Sequence, residues 1–320
     1  MLFDRLRLSF VTKYFERIDL VKREQEQVVV SQPPNEPQQI YIIKLSGKIA
    51  DSPDKLINLS EEIALLARMN IKVILVHGGG VQLDRFADRM SVPQTKVNGR
   101  RVTNEATMEI AQMVFAKINA EICSSLRGMG VESVGVSGAD SSLILAERRP
   151  PVLIKCNDKG TEDWIDFGLV GDVIKCDPSL LVTLIDQGYV PVISSFGTDV
   201  SGSILNVNAD VVASVLAKNL KVKKIVYMTD VNGVFYNISN PCSRIKKLSS
   251  KNAAELIQRG VIKGGMIPKV ESILNLLKSG VESAHIIGDA ETNYPITQIM
   301  ENQDIGTVFF SEVMTNGDRI

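Results

Sequence analysis

Two lysines sit beside flexible backbone far apart in the chain: Lys44 in Ile43-Lys44-Leu45-Ser46-Gly47, and Lys269 in Gly264-Gly265-Met266-Ile267-Pro268-Lys269-Val270. Paired cations of this kind suit phosphoryl transfer, whose loose transition state spreads negative charge over the equatorial oxygens. Between them, Val76-His77 runs into Gly78-Gly79-Gly80, where unobstructed amides before a helix start can receive an anion. Asn206-Val207-Asn208-Ala209-Asp210 places two amides and a carboxylate at a loop-to-helix junction, although helix capping alone also accounts for an acid there. Each fragment has a plain alternative: a triple glycine is a tight turn, and a lone lysine is a solvated side chain. His77 is read as structural.

The elements that must position these residues alternate. Ile40–Leu45 reads as a strand, Pro53–Met69 as a helix, Lys72–His77 as a strand, Val81–Met90 as a helix and 104–128 as a long helix. Strands at 190–195, 224–228 and 284–287 alternate with helices at 208–220 and 269–279. That pattern predicts an α/β fold with a largely parallel central sheet and helices on both faces. Residues 145–177, which hold the single tryptophan, Trp164, read as paired strands or a hairpin.

Ahead of this body, Phe3, Leu6, Phe10, Tyr14, Ile18 and Val21 form the stripe of an amphipathic N-terminal helix. Ser31-Gln32-Pro33-Pro34-Asn35-Glu36-Pro37-Gln38 cannot continue it, because proline lacks the amide donor and clashes with the preceding turn. The expected organisation is 1–38 as helix and linker, 39–190 as a first lobe and 191–320 as a second.

Composition narrows the function. Hydrophobic residues at 44% and charged residues at 23% are ordinary for a globular protein, and a net charge of −1 argues against a nucleic-acid binder. The four cysteines form no CxxC, and two histidines are too few for a multi-histidine metal site. Apolar runs are strand length rather than membrane length, and charged residues of both signs spread through residues 1–30 break any signal core. A cytoplasmic protein is expected.

Taken in order, KLSG, VHGGG, GRRVT, NVNAD, TDVNGV and GGMIPKV resemble the acetylglutamate kinases of the amino acid kinase family over residues 40–310. The resemblance implies the amino-acid-kinase fold, an acyl-amino-acid-binding first lobe and an ATP-binding second lobe. It implies transfer of the ATP γ-phosphoryl to the side-chain carboxylate of N-acetyl-L-glutamate, a step of arginine biosynthesis, with Mg2+ arriving on the nucleotide. Lys44, Lys269 and Asp210 are then catalytic, Asp210 holding both lysines. Gly79, Gly80, Arg101 and Asn206 bind substrate, Arg101 by a bidentate grip on a carboxylate. Gly47 with Asp230, Val231, Asn232, Gly233, Val234 and Phe235, and Lys263 with Gly265, bind the nucleotide. No residue is assigned to a protein-held metal.

Some positions depart from the pattern. Ser46 replaces the first of two usual glycines, and KLSG also opens uridylate kinases, which keeps UMP as an alternative acceptor beside acetylaminoadipate. A non-catalytic amino-acid sensor is a third alternative. By resemblance the protein is a homo-oligomer, a dimer or, through the N-terminal helix, a hexamer. His285 and Gly306 match the arginine-effector segment, whereas Gln298 stands for the usual acid and Asp304 for a usual glycine, so weak or absent arginine inhibition is expected.

Overall fold

The computed structural model describes residues 40–97, 99–155, 162–288, 294–301 and 303–311. The N-terminal stripe and the proline-rich linker lie outside the described residues.

An eight-stranded sheet organises the body, in the spatial order Lys247–Ser249, Thr307–Phe310, Ser283–Gly288, Lys224–Thr229, Ile40–Leu45, Lys72–His77, Val190–Ser194, Ser133–Ser137. Every pair is parallel except Ser283–Gly288 with Thr307–Phe310. The two expected lobes share this sheet, since Val190–Ser194 lies between Lys72–His77 and Ser133–Ser137.

Strand parity sends alternate side chains to opposite faces. Ile42 enters one buried cluster with residues of helices Ala209–Asn219 and Met266–Lys278. Tyr41, Ile43 and Leu45 enter the other, with residues of helices Pro53–Arg68, Gly80–Arg89 and Glu105–Gly128. The same parity places Lys44 on the face of Ile42, toward the helices that carry Asp210 and Lys269.

Residues 145–177 contain both features expected of them. Ile144–Arg148 and Gly171–Cys176 lie in a second sheet with Phe196–Thr198 and Ile204–Asn206, and Val152–Lys155 pairs with Glu162–Ile165 as a hairpin. Helix boundaries shift slightly from the sequence reading. The helix carrying Lys269 begins at Met266, because Pro268 is tolerated in a first helical turn, where its missing amide costs no intrahelical bond. Asn104 lies outside its helix as the cap, accepting from the Thr107 amide at 2.9 Å. Among the described residues no helix is long and apolar enough to cross a membrane.

Candidate active site

Lys44 is the penultimate residue of the strand Ile40–Leu45, and Asp210 lies in the first turn of helix Ala209–Asn219. The cap of that helix is Asn208, whose side chain accepts from the Asp210 amide at 2.7 Å. The Asp210 carboxylate is therefore free to reach elsewhere. Its Oδ1 lies 2.7 Å from Lys44 Nζ and its Oδ2 lies 2.9 Å from Lys269 Nζ. All three side chains are largely buried, at 13%, 14% and 12% exposure for Lys44, Asp210 and Lys269.

Burial alone would raise the Asp210 pKa, but the attraction of Lys44 and Lys269, with their hydrogen bonds, wins and holds it at about 2. Burial and repulsion from Lys44 lower the Lys269 pKa against the pull of Asp210. Two ammonium groups thus share one ionised carboxylate, leaving positive charge in a partly dry site.

The glycine loop borders this cluster. A Cβ on Gly78 would stand 3.4 Å from the Ala209 Cβ, and one on Gly79 would stand 2.7 Å from Phe115 and Ile118. Gly80 faces open space. His77 is fully buried, with Nδ1 3.0 Å from the Gly78 carbonyl and Nε2 3.3 Å from Asn119 Nδ2. Burial lowers its pKa to about 4 against the backbone hydrogen bond, so at neutral pH Nδ1–H donates to Gly78 and Nε2 accepts from Asn119. Gly47 lies across from the loop, its carbonyl accepting from Gln82 Nε2 at 2.7 Å.

Arg101 ends the hairpin Lys96–Val97 with Arg100–Arg101. Its guanidinium donates to Gln94 Oε1 at 2.5 Å, to the Gly80 carbonyl at 3.0 Å and to Asp84 Oδ1 at 2.7 Å. Asn206 donates to Thr103 Oγ1 at 3.1 Å, which joins the GRRVT and NVNAD segments.

The residues of the TDVNGV segment occupy the loop after strand Lys224–Thr229, at the same carboxyl end of the sheet. Gly233 has φ +102° and a Cβ there would stand 2.5 Å from Thr307 Oγ1, so only glycine fits. Val234 N–H donates to Thr307 Oγ1 at 2.8 Å, Asn232 Oδ1 accepts from the Gly288 amide at 3.0 Å, and the Val231 carbonyl accepts from Gly233 N–H at 2.8 Å. Phe235 pairs with Arg244. Lys263 and Gly265 precede the helix that carries Lys269. In the effector-like segment, Asp304 accepts from Lys246 Nζ at 2.9 Å.

Sequence reasoning passed over several neighbours. Tyr227, the register partner of Lys44, underlies Lys269, with the ring centroid 5.4 Å from Nζ. Asp84, Gln82 and Asn119 were also missed; only the strand register could have pointed to one of these four, Tyr227. Among the described residues no three His, Cys, Asp or Glu side chains gather to hold a metal ion.

The chain is similar to known proteins over most of its length. Residues 39–288 match the Amino acid kinase family profile. The acetylglutamate kinase of Carboxydothermus hydrogenoformans is 36% identical over 268 residues, covering 83% of this chain and 90% of that protein. That of Methanocaldococcus jannaschii is 38% identical over 271 residues, covering 84% and 89%. N-acetylglutamate synthase from Neisseria gonorrhoeae, solved with coenzyme A and L-arginine, superposes with a TM-score of 0.71 at 22% identity, covering 85% of this chain and 61% of that one, a likeness of fold alone. The chain belongs to the amino acid kinase family.

Proposed function

We propose that this chain transfers the γ-phosphoryl group of ATP to the side-chain carboxylate of N-acetyl-L-glutamate, giving N-acetyl-L-glutamyl 5-phosphate, a step of arginine biosynthesis. The observation that carries this reading is Asp210 holding Lys44 and Lys269 at 2.7 and 2.9 Å. A carboxylate substrate is already a competent nucleophile, so the chemistry asks for neither a general base nor a covalent enzyme intermediate. What it asks for is alignment and fixed positive charge.

In this reading Lys44 and Lys269 flank the phosphoryl group in flight, and Asp210 keeps both ammonium groups aimed. Gly79 and Gly80 admit the acceptor close to backbone, while Arg101 grips its carboxylate and Asn206 binds the substrate beside it. Gly47, residues 230–235, Lys263 and Gly265 receive the nucleotide. Residues 39–190 form the acceptor lobe and 191–320 the ATP lobe. Mg2+ travels with the phosphates and water, adding neutralising charge there, which fits a donor set in which both Asp210 oxygens already face ammonium groups. A cytoplasmic homo-oligomer, extended through the N-terminal segment, completes the reading.

Hydroxylamine trapping of the acyl phosphate tests it. Acetylglutamate with ATP should yield the hydroxamate. Absence of that product together with turnover of UMP or acetylaminoadipate overturns the choice of acceptor.

A further inference from the structure

Strand Ile40–Leu45 pairs in parallel with Lys224–Thr229, and the amide of Ser46, one residue past the last pair of Leu45 with Met228, donates to the Met228 carbonyl at 3.0 Å. The turn after Lys44 is thereby tied to the start of the loop read as nucleotide-binding. Lys48 projects from that turn and meets Asp230, the first residue after the strand, with Nζ 2.5 Å from Oδ2. Both side chains face solvent, at 59% and 39% exposure, unlike the buried Lys44 and Lys269. An exposed ion pair is weakly held, so Lys48 can change partners at little cost. The same turn carries a second loose end, because Ser46 Oγ is buried without a hydrogen-bond partner.

The charge inventory gives Lys48 a task. Lys44 and Lys269 share Asp210 and are committed to the phosphoryl group being transferred. Breaking the bond to that group leaves a diphosphate that gains negative charge on its terminal phosphate. Beside Lys263 of the second nucleotide segment, Lys48 is the ammonium held against the loop read as nucleotide-binding, through Asp230.

We propose that Lys48 is a third phosphate-binding cation of this site, exchanging Asp230 for a phosphate of the nucleotide and stabilising the diphosphate as it leaves. This rests on the reading of the chain as an ATP-dependent kinase. An arginine here can serve the same purpose, since it carries the same charge and more donors.

The test is calorimetric titration of the full chain with a non-hydrolysable ATP analogue and, separately, with adenosine, which has no phosphates. Lys48→Ala should weaken the analogue by about tenfold or more, the loss of one charge-assisted contact, and leave adenosine unchanged. It should also flatten the salt dependence of analogue binding, and Lys48→Arg should restore affinity. Unchanged analogue affinity in Lys48→Ala overturns the proposal and leaves Lys48 as a surface ion pair. Equal weakening of analogue and adenosine overturns it too, by showing a structural effect on the loop. Because no acceptor is needed, a wild-type protein that binds the analogue but gives no hydroxamate refutes the acceptor and still tests Lys48; one that binds no analogue refutes both.

Discussion

Lys269 rests on the face of Tyr227, a fully buried ring in register with Lys44 on the neighbouring strand. The ring's negative face attracts the ammonium and fixes its height above the sheet. Tyr227→Leu should therefore lower kcat by about tenfold, the cost of a desolvated cation–π contact, with little change in either KM. Tyr227→Phe keeps the ring and should keep the rate, although it loses the 2.8 Å bond to Ser214. Steady-state rates of the two variants decide it; equal loss in both would assign the effect to the hydroxyl.

Adjacent glycines in the loop should respond differently to one methyl group. At Gly79 the added carbon meets Phe115 and Ile118 at 2.7 Å, so Gly79→Ala should cost ~1–3 kcal/mol of stability through overpacking. Gly80→Ala meets nothing within 4 Å and should melt as wild type, while raising the acetylglutamate KM by narrowing the approach to backbone. Denaturant unfolding paired with kinetics separates the two.

Arg101→Ala should raise the acetylglutamate KM by about 10- to 100-fold, as expected for a lost charge-assisted bidentate contact. Arg101→Lys should not restore it, because a point charge cannot span Gln94, Asp84 and a substrate carboxylate together. Recovery in the lysine variant would mean that charge alone is used.

Glu62 offers a pH signature. Its Oε1 accepts from the Ile296 and Thr297 amides at 2.6 and 2.8 Å, while Oε2 is buried without a partner. Burial raises its pKa from 4.5 to about 7, against the hydrogen bonds from Thr297 and Ile296. The folded state therefore holds a proton that the unfolded chain releases, so this group's contribution is complete below about 4.5 and is lost as pH rises to about 7. Glu62→Gln, which keeps an acceptor and carries no charge, should lack that slope. Thermal unfolding across the window should show the variant gaining on wild type as pH rises, and parallel curves would refute the assignment.

Much of the architecture was legible because each main element has its own periodicity: Ile40–Leu45 and Lys72–His77 are apolar runs bounded by turn residues, and Pro53–Arg68 repeats its apolar residues at helical spacing. The short strands Lys247–Ser249, at the sheet edge, and Thr307–Phe310, next to it, were not, since a few residues carry no period and pair only through tertiary context. At the site, Lys44, Asp210 and Lys269 were recognisable from the motifs around them. Tyr227 was hidden because a tyrosine within an apolar strand reads as core, and only the register with Lys44 shows that it lies beneath a charged group. Asp84 and Lys48 were hidden for the opposite reason, as exposed charges among many.

Asn119 reaches the sheet because position 135 has no side chain: a Cβ on Gly135 would fall 2.0 Å from Asn119 Oδ1. That amide also steadies His77, and through it the carbonyl that opens the glycine loop. A side chain at 135 would therefore push the Asn119 amide aside and loosen its hold on the imidazole that sets the loop, so a change at one position is felt at a glycine turn it never touches.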